Sequence, residues 1–233
     1  LEGKGVSVLD MAGLAQKGGA VFSHVQIAPT QEALSATRIA MGEADLIIGA
    51  DLIVTTSNEA LSKIQSGKTR AVVNTSETPT ADFVRNPDWQ FGGASLGREL
   101  RDAIGSDADA AFVDANALAT AIMGDAIYTN PFMLGFAWQK GWIPLAHETL
   151  LRAMELNAVA VDANKKAFEW GRCAAHDVEA VRRIAFPDAA NNVVELKRFA
   201  TSLEDIVARR VEFLTEYQNA GYARRYADLV ERV

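Results

Sequence analysis

The chain has 233 residues, 49% hydrophobic and 23% charged, enough to build one substantial core and excluding a disordered chain. A net charge of -7 and a pI near 5.1 exclude a general affinity for nucleic acid or an anionic membrane, since those surfaces need clustered lysine and arginine. One cysteine, Cys173, excludes an intrachain disulfide and any zinc site or iron-sulfur cluster built from several of the chain's own thiolates.

No apolar run approaches the roughly 20 residues of a membrane helix and no basic-then-apolar leader opens the chain, so a cytoplasmic protein is expected. The first two elements are strands. Gly5 to Leu9 and Ala20 to Ile27 carry Val, Ile and Phe at strand density on either side of a turn containing Gly13, Lys17, Gly18 and Gly19. In the second strand Val21, Ser23, Val25 and Ile27 share one face and Phe22, His24 and Gln26 the other.

Thr30 to Ala50 is mixed, with a loop and a helical turn expected over Ile39 to Gly49. Leu52 to Thr56 reads as a short strand, Ser57 as the cap of a helix ended by Gly67, and Ala71 to Asn74 as the next buried strand, a β-α-β unit. After a long loop over Thr75 to Gly93 come a helix from Ser95 to Ile104 stopped by Gly105, a strand at Ala110 to Val113 and a helix opened by Asp114. The chain is then helical. Asn130 or Thr129 is expected to cap a helix with Pro131 in its first turn, and Ala146 to Trp170 forms an amphipathic helix or a pair. Ala146 offers no capping hydroxyl, and His147 behind it is expected to be neutral and exposed. Thr201-Ser202-Leu203-Glu204 opens a long final helix with apolar residues three to four apart from Leu203 to Val233.

The expected fold is therefore α/β, three layers with a mostly parallel, mixed sheet that takes in all five strands, followed by a helical C-terminal segment. Domains are expected at 1–172 and 173–233. The opening on Leu1 and the helical pattern still running at Val233 lead us to expect a longer polypeptide, and self-association or marginal stability of the chain by itself.

Gly3-Lys4-Gly5, Leu9-Asp10-Met11, Ala15-Gln16-Lys17-Gly18-Gly19-Ala20 and Ser23-His24-Val25 resemble the gamma-type domain of indolepyruvate ferredoxin oxidoreductases, which are 2-oxoacid:ferredoxin oxidoreductases. Similar segments recur at Ala44–Leu52, Arg70–Thr75, Asn86-Pro87-Asp88-Trp89, Asp125–Ile127, Asn130–Gly135 and Trp138–Gly141. The resemblance implies oxidative decarboxylation of an arylpyruvate to its acyl-CoA, with electrons passed to ferredoxin. It implies thiamine diphosphate with magnesium, iron-sulfur clusters and CoA in the whole enzyme, with none of them bound by this chain alone. It places Lys17, Gly18, Gly19, Ser23 and His24 against substrate or CoA, with no acid, base or nucleophile among them. Asn130, Met133, Leu134 and Phe136 are expected either to meet another domain or subunit of the same enzyme, with a homodimer possible, or to face this domain's own core. A scaffold domain of the same complex and a free-standing CoA- or nucleotide-binding protein are the other readings open, although no phosphate-binding fingerprint is present.

Overall fold

The computed structural model describes residues 2–11, 21–76, 93–187 and 202–231. The chain forms two units, Leu1–Pro187 and Asp188–Val233. In the first, strands β3 (Leu46–Gly49), β4 (Arg70–Asn74) and β5 (Ala110–Val113) make a parallel sheet with β4 in the centre. Leu46 pairs with Arg70, and Ala71 pairs with Ala110. Ala71 to Asn74 is buried throughout, as a strand covered on both faces must be.

Helices cover both faces of this sheet, so the domain is a three-layer α/β/α structure, as expected. On one face Ala71 and Val73 meet Leu52 of α1 (Leu52–Thr55) and Leu100 and Ile104 of α3 (Gly93–Ile104). On the other, Val72 and Val113 meet Leu118 of α4 (Ala115–Met123) and Phe132, Met133 and Phe136 of α5 (Thr129–Gln139). Outside α5 lie α6 (His147–Asn157), α7 (Val161–His176) and α8 (Val178–Ala185). Val181 of α8 belongs to the same core, so residues 173–187, which the sequence reading gave to the helical extension, pack with the first unit.

Three expectations need correction. Strand β3 falls at Leu46–Gly49, and the β-branched run after it is helix α1. Asp51 decides this: its carboxylate accepts from the Val54 N-H at 2.9 Å and caps the turn, so a local cap outweighs strand propensity. The two opening strands, β1 (Gly5–Met11) and β2 (Phe22–Ala28), pair antiparallel as expected, but in a two-stranded sheet of their own rather than in the common sheet. Their pattern fits that separation, because Val6, Val8 and Val25 lie exposed where the central strand β4 has no exposed residue after Arg70. The last stretch is two helices, α9 (Leu203–Tyr217) and α10 (Ala220–Val230), with Asn219 accepting from the Tyr222 N-H at 2.9 Å to cap the second. An asparagine cap breaks the long helix that the apolar spacing implied.

The capping signals hold elsewhere. Ser57 accepts from the Ala60 N-H to start α2 (Asn58–Leu61), Asp114 accepts from the Ala117 N-H at 3.0 Å, and Gly105, at φ +80°, follows the last residue of α3. Helix α2 ends well before Gly67, however, and α5 begins at Thr129 with Tyr128 at its cap position and no side-chain cap. Among the described residues no helix is long and apolar enough to cross a membrane.

Candidate functional site

The hairpin β1–β2 carries the two described members of the expected site, and it sends them to opposite sides. Ser23 lies on the exposed face, where its hydroxyl donates to Asp10 Oδ1 at 2.6 Å across the strand pair. His24 is 5% exposed on the other face. Its Nδ1 accepts from the Ile39 N-H at 3.2 Å, so the neutral ring carries its proton on Nε2. Burial pushes the imidazole below its usual range, and the nearby Arg38 and Lys63 charges push it the same way. His24 is thus a neutral hydrogen-bond acceptor that fixes the backbone at Ile39. Lys17, Gly18 and Gly19 lie outside the described residues.

Three charged groups gather beside His24. Glu59 of α2 pairs with Arg38 at 2.7 Å and with Lys63, one turn on, at 3.2 Å. Both cations hold the Glu59 carboxyl below its usual range, the Arg38 hydrogen bond first. The segment leading into Arg38 forms one wall of an open cleft of about 500 Å³, whose other side is Ser7 of β1. Sequence reading missed this cluster. Glu59 and Lys63 stand four residues apart, a pairing the sequence offers, but His24 and Arg38 share no motif spacing with them, and only the alternation that buries His24 signals that partners must come from other parts of the chain.

Residues 1–174 match the family described as pyruvate ferredoxin/flavodoxin oxidoreductases. The chain belongs to that family. A second family, of unknown function, matches residues 203–233. No curated protein matches the chain. Among solved structures, the chain is similar to the PORC subunit of pyruvate oxidoreductase from Thermotoga maritima, at 22% identity and a TM-score of 0.45, over 73% of this chain and 79% of that one. The family assignment rests on the sequence match.

Within this oxidoreductase-family domain, the four residues expected at an interface divide. Met133 and Phe136 are buried in the domain's own core against the sheet, whereas Leu134 is half-buried and Asn130 exposed. A lone thiol, the exposed Cys173, does not fit an iron-sulfur cluster, and among the described residues no three His, Cys, Asp or Glu side chains gather as metal ligands.

At the carboxyl ends of β3, β4 and β5, where α/β folds commonly place their sites, Asn74 knits three segments together. Its side chain donates to the Ala50 carbonyl at 3.1 Å and accepts from the N-H groups of Ser76 and Asn116, both at 3.3 Å. Asn116 in turn accepts from the Thr129 hydroxyl at 3.3 Å. These bonds occupy both ends of the carboxamide, which makes Asn74 a positioning residue.

His147 also departs from the exposed reading. It is half-buried, its Nε2 lies 2.6 Å from Glu169 Oε1 and 3.0 Å from an Arg172 nitrogen, and its ring packs on Trp138 and Phe168. Arg172 covers the Trp138 ring at 4.9 Å and pairs with Glu169 at 2.6 Å, so the cluster joins α5, α6 and α7. Ala146 supplies no side-chain cap to α6. Glu2 accepts from the Ala146 N-H at 2.8 Å, which ties the start of the chain to α6.

Proposed function

We propose that the chain is the gamma-type domain of a thiamine-diphosphate-dependent oxidoreductase that converts an arylpyruvate, indolepyruvate in particular, to its acyl-CoA and passes the electrons to ferredoxin. The observation that carries this reading is the family match over residues 1–174, whose opening stretch includes the Gln16-Lys17-Gly18-Gly19 turn and Ser23-His24. Thiamine diphosphate with magnesium, and the clusters, belong in this reading to other domains or subunits of the enzyme. They supply carbonyl-carbon activation and the electron path. The single cysteine agrees with that division as far as the clusters go. This chain's share is to line the substrate or CoA: the Lys17 ammonium and the glycine N-H groups meet an anionic group, and His24, held neutral, fixes the backbone at Ile39.

The test is the intact oxidoreductase with Lys17→Ala, assayed for arylpyruvate and CoA dependence. Loss of a charge-assisted bond is expected to weaken one anionic ligand by about 1 to 3 kcal/mol, read as a raised KM with the enzyme still assembled. Unchanged constants for both ligands would leave the turn as architecture. A kcat/KM for pyruvate above that for indolepyruvate would remove the arylpyruvate assignment and leave the family-level activity.

A further inference from the structure

We propose that the cleft between β1 and the segment running from Gln31 to Arg38 is a binding site for an oxyanion, the carboxylate or phosphoryl group of a small organic molecule. This needs neither the glycine turn nor arylpyruvate chemistry. The space is about 500 Å³, within the range that holds a small ligand. Of the residues that line it, Ser7, Gln31, Ser35, Thr37 and Arg38 have side chains able to donate, and Leu34 and Ala36 are apolar. No carboxylate is among these lining residues, in a chain with 30 acidic side chains against 23 basic ones.

The donors are also committed in a useful direction. Gln31 Oε1 accepts from the Val6 N-H at 3.1 Å, so the end of the carboxamide that remains to be offered is its NH2. Among the described residues Arg38 meets Glu59 through one terminal nitrogen, and the rest of its planar fork can face a second oxyanion. Arg38 and Lys63 share the single Glu59 carboxylate, which leaves one positive charge of that trio uncompensated beside the cleft. The wall is held at both ends, by Gln31 on β1 and by Ile39 on the buried His24, so binding need not first order it.

The two sources of the oxyanion are separated by titrating the full chain with inorganic pyrophosphate and, independently, with phenylpyruvate, reading both calorimetry and backbone amide shifts. At least one probe is expected to bind saturably, with shifts at Ser7 and across residues 31–38, more weakly as salt rises, and about tenfold or more weakly in Arg38→Gln. Pyrophosphate alone would assign a phosphoryl site, phenylpyruvate alone a carboxylate site, and both a general oxyanion site. Because Arg38→Gln also breaks the Glu59 pair, Thr37→Val serves as a second variant that keeps it. Weakened binding in that variant supports the site even where Arg38→Gln unfolds. Failure of both probes to saturate, shifts confined to another region, or unchanged affinity in folded variants would overturn the proposal. None of these outcomes touches the Lys17 test, which concerns a different segment.

Discussion

Gly135 of α5 and Gly171 of α7 lie each against the other helix's backbone: a Cβ on Gly135 would run into the Phe168 carbonyl, and one on Gly171 into the Phe132 carbonyl. The two helices therefore cross at backbone contact, which lets Phe132 and Phe168 sit fully buried on either side of the crossing. Neither obstacle is a flexible side chain that can swing aside. Gly135→Ala and Gly171→Ala are each expected to cost about 3 kcal/mol or more, at the upper end of overpacking effects, by urea denaturation of the purified chain. A loss below about 1 kcal/mol in either would mean that the helices slide apart easily.

The turn between α6 and α7 holds the opposite situation. Ala158 and Ala160 sit at φ 57° and 42°, in the left-handed region that a Cβ disfavours. Ala158→Gly and Ala160→Gly are expected to stabilise the domain by up to about 1 kcal/mol each, the relieved strain exceeding the greater freedom of glycine in the unfolded chain. A lowered melting temperature in either variant would show that the conformation is not strained.

What the sequence showed and what it hid divide along a physical line. Ser57, Asp114 and Gly105 could be read because a cap acts within a few residues of itself. Leu52 to Thr55 could not, because their strand propensity is overridden by one capping aspartate. The site shows the same limit. Alternation along β2 marks His24 as facing away from Ser23, and the four-residue spacing pairs Glu59 with Lys63, yet nothing local announces that Arg38 and His24 join that pair. Only the tertiary fold brings them together.

Asn74 satisfies three backbone groups, at Ala50, Ser76 and Asn116, from a 5% exposed position. Asn74→Ala leaves those groups without their partner and is expected to cost about 1 to 3 kcal/mol. Hydrogen exchange should show faster exchange at Ser76 and Asn116 than elsewhere on the sheet. Uniform loosening instead would mean that Asn74 does not secure the strand ends in particular.

Glu2 links the start of the chain to α6. The Thr149 hydroxyl, then Lys4 and the Ala146 N-H, hold its carboxyl down at about 2, against an ordinary 4.5. A depressed carboxyl stabilises the fold above its unfolded value and loses that contribution as pH falls through its folded value. Glu2→Gln is therefore expected to melt lower than the parent at pH 7, with the gap closing as pH drops from 4.5 toward 2. A gap that stays constant over that interval would show that the charge on Glu2 is irrelevant.

His24 is likewise held in its deprotonated form, which for an imidazole is the neutral one. Its unfolded form takes a proton near 6.5, while in the fold burial, with Arg38 and Lys63 adding to it, keeps the ring neutral to lower pH; Glu59 acts the other way but more weakly. Below 6.5 the unfolded chain therefore binds more protons than the folded one, so stability attributable to His24 is full above that value and falls as pH drops toward the folded pKa. Protonation would also cost the Nδ1 acceptor that secures Ile39. Two variants separate these effects. His24→Asn keeps a side-chain acceptor within reach of the Ile39 N-H and cannot titrate, so its stability should change less than the parent's between pH 7.5 and 5. His24→Ala removes the acceptor as well and should lose about 1 to 3 kcal/mol at pH 7.5, before any titration, with a cavity adding to the loss. Urea unfolding curves at a series of pH values decide the matter. Parent and His24→Asn curves that fall in parallel would show that the loss over this interval does not come from His24, and leave it as a packing residue.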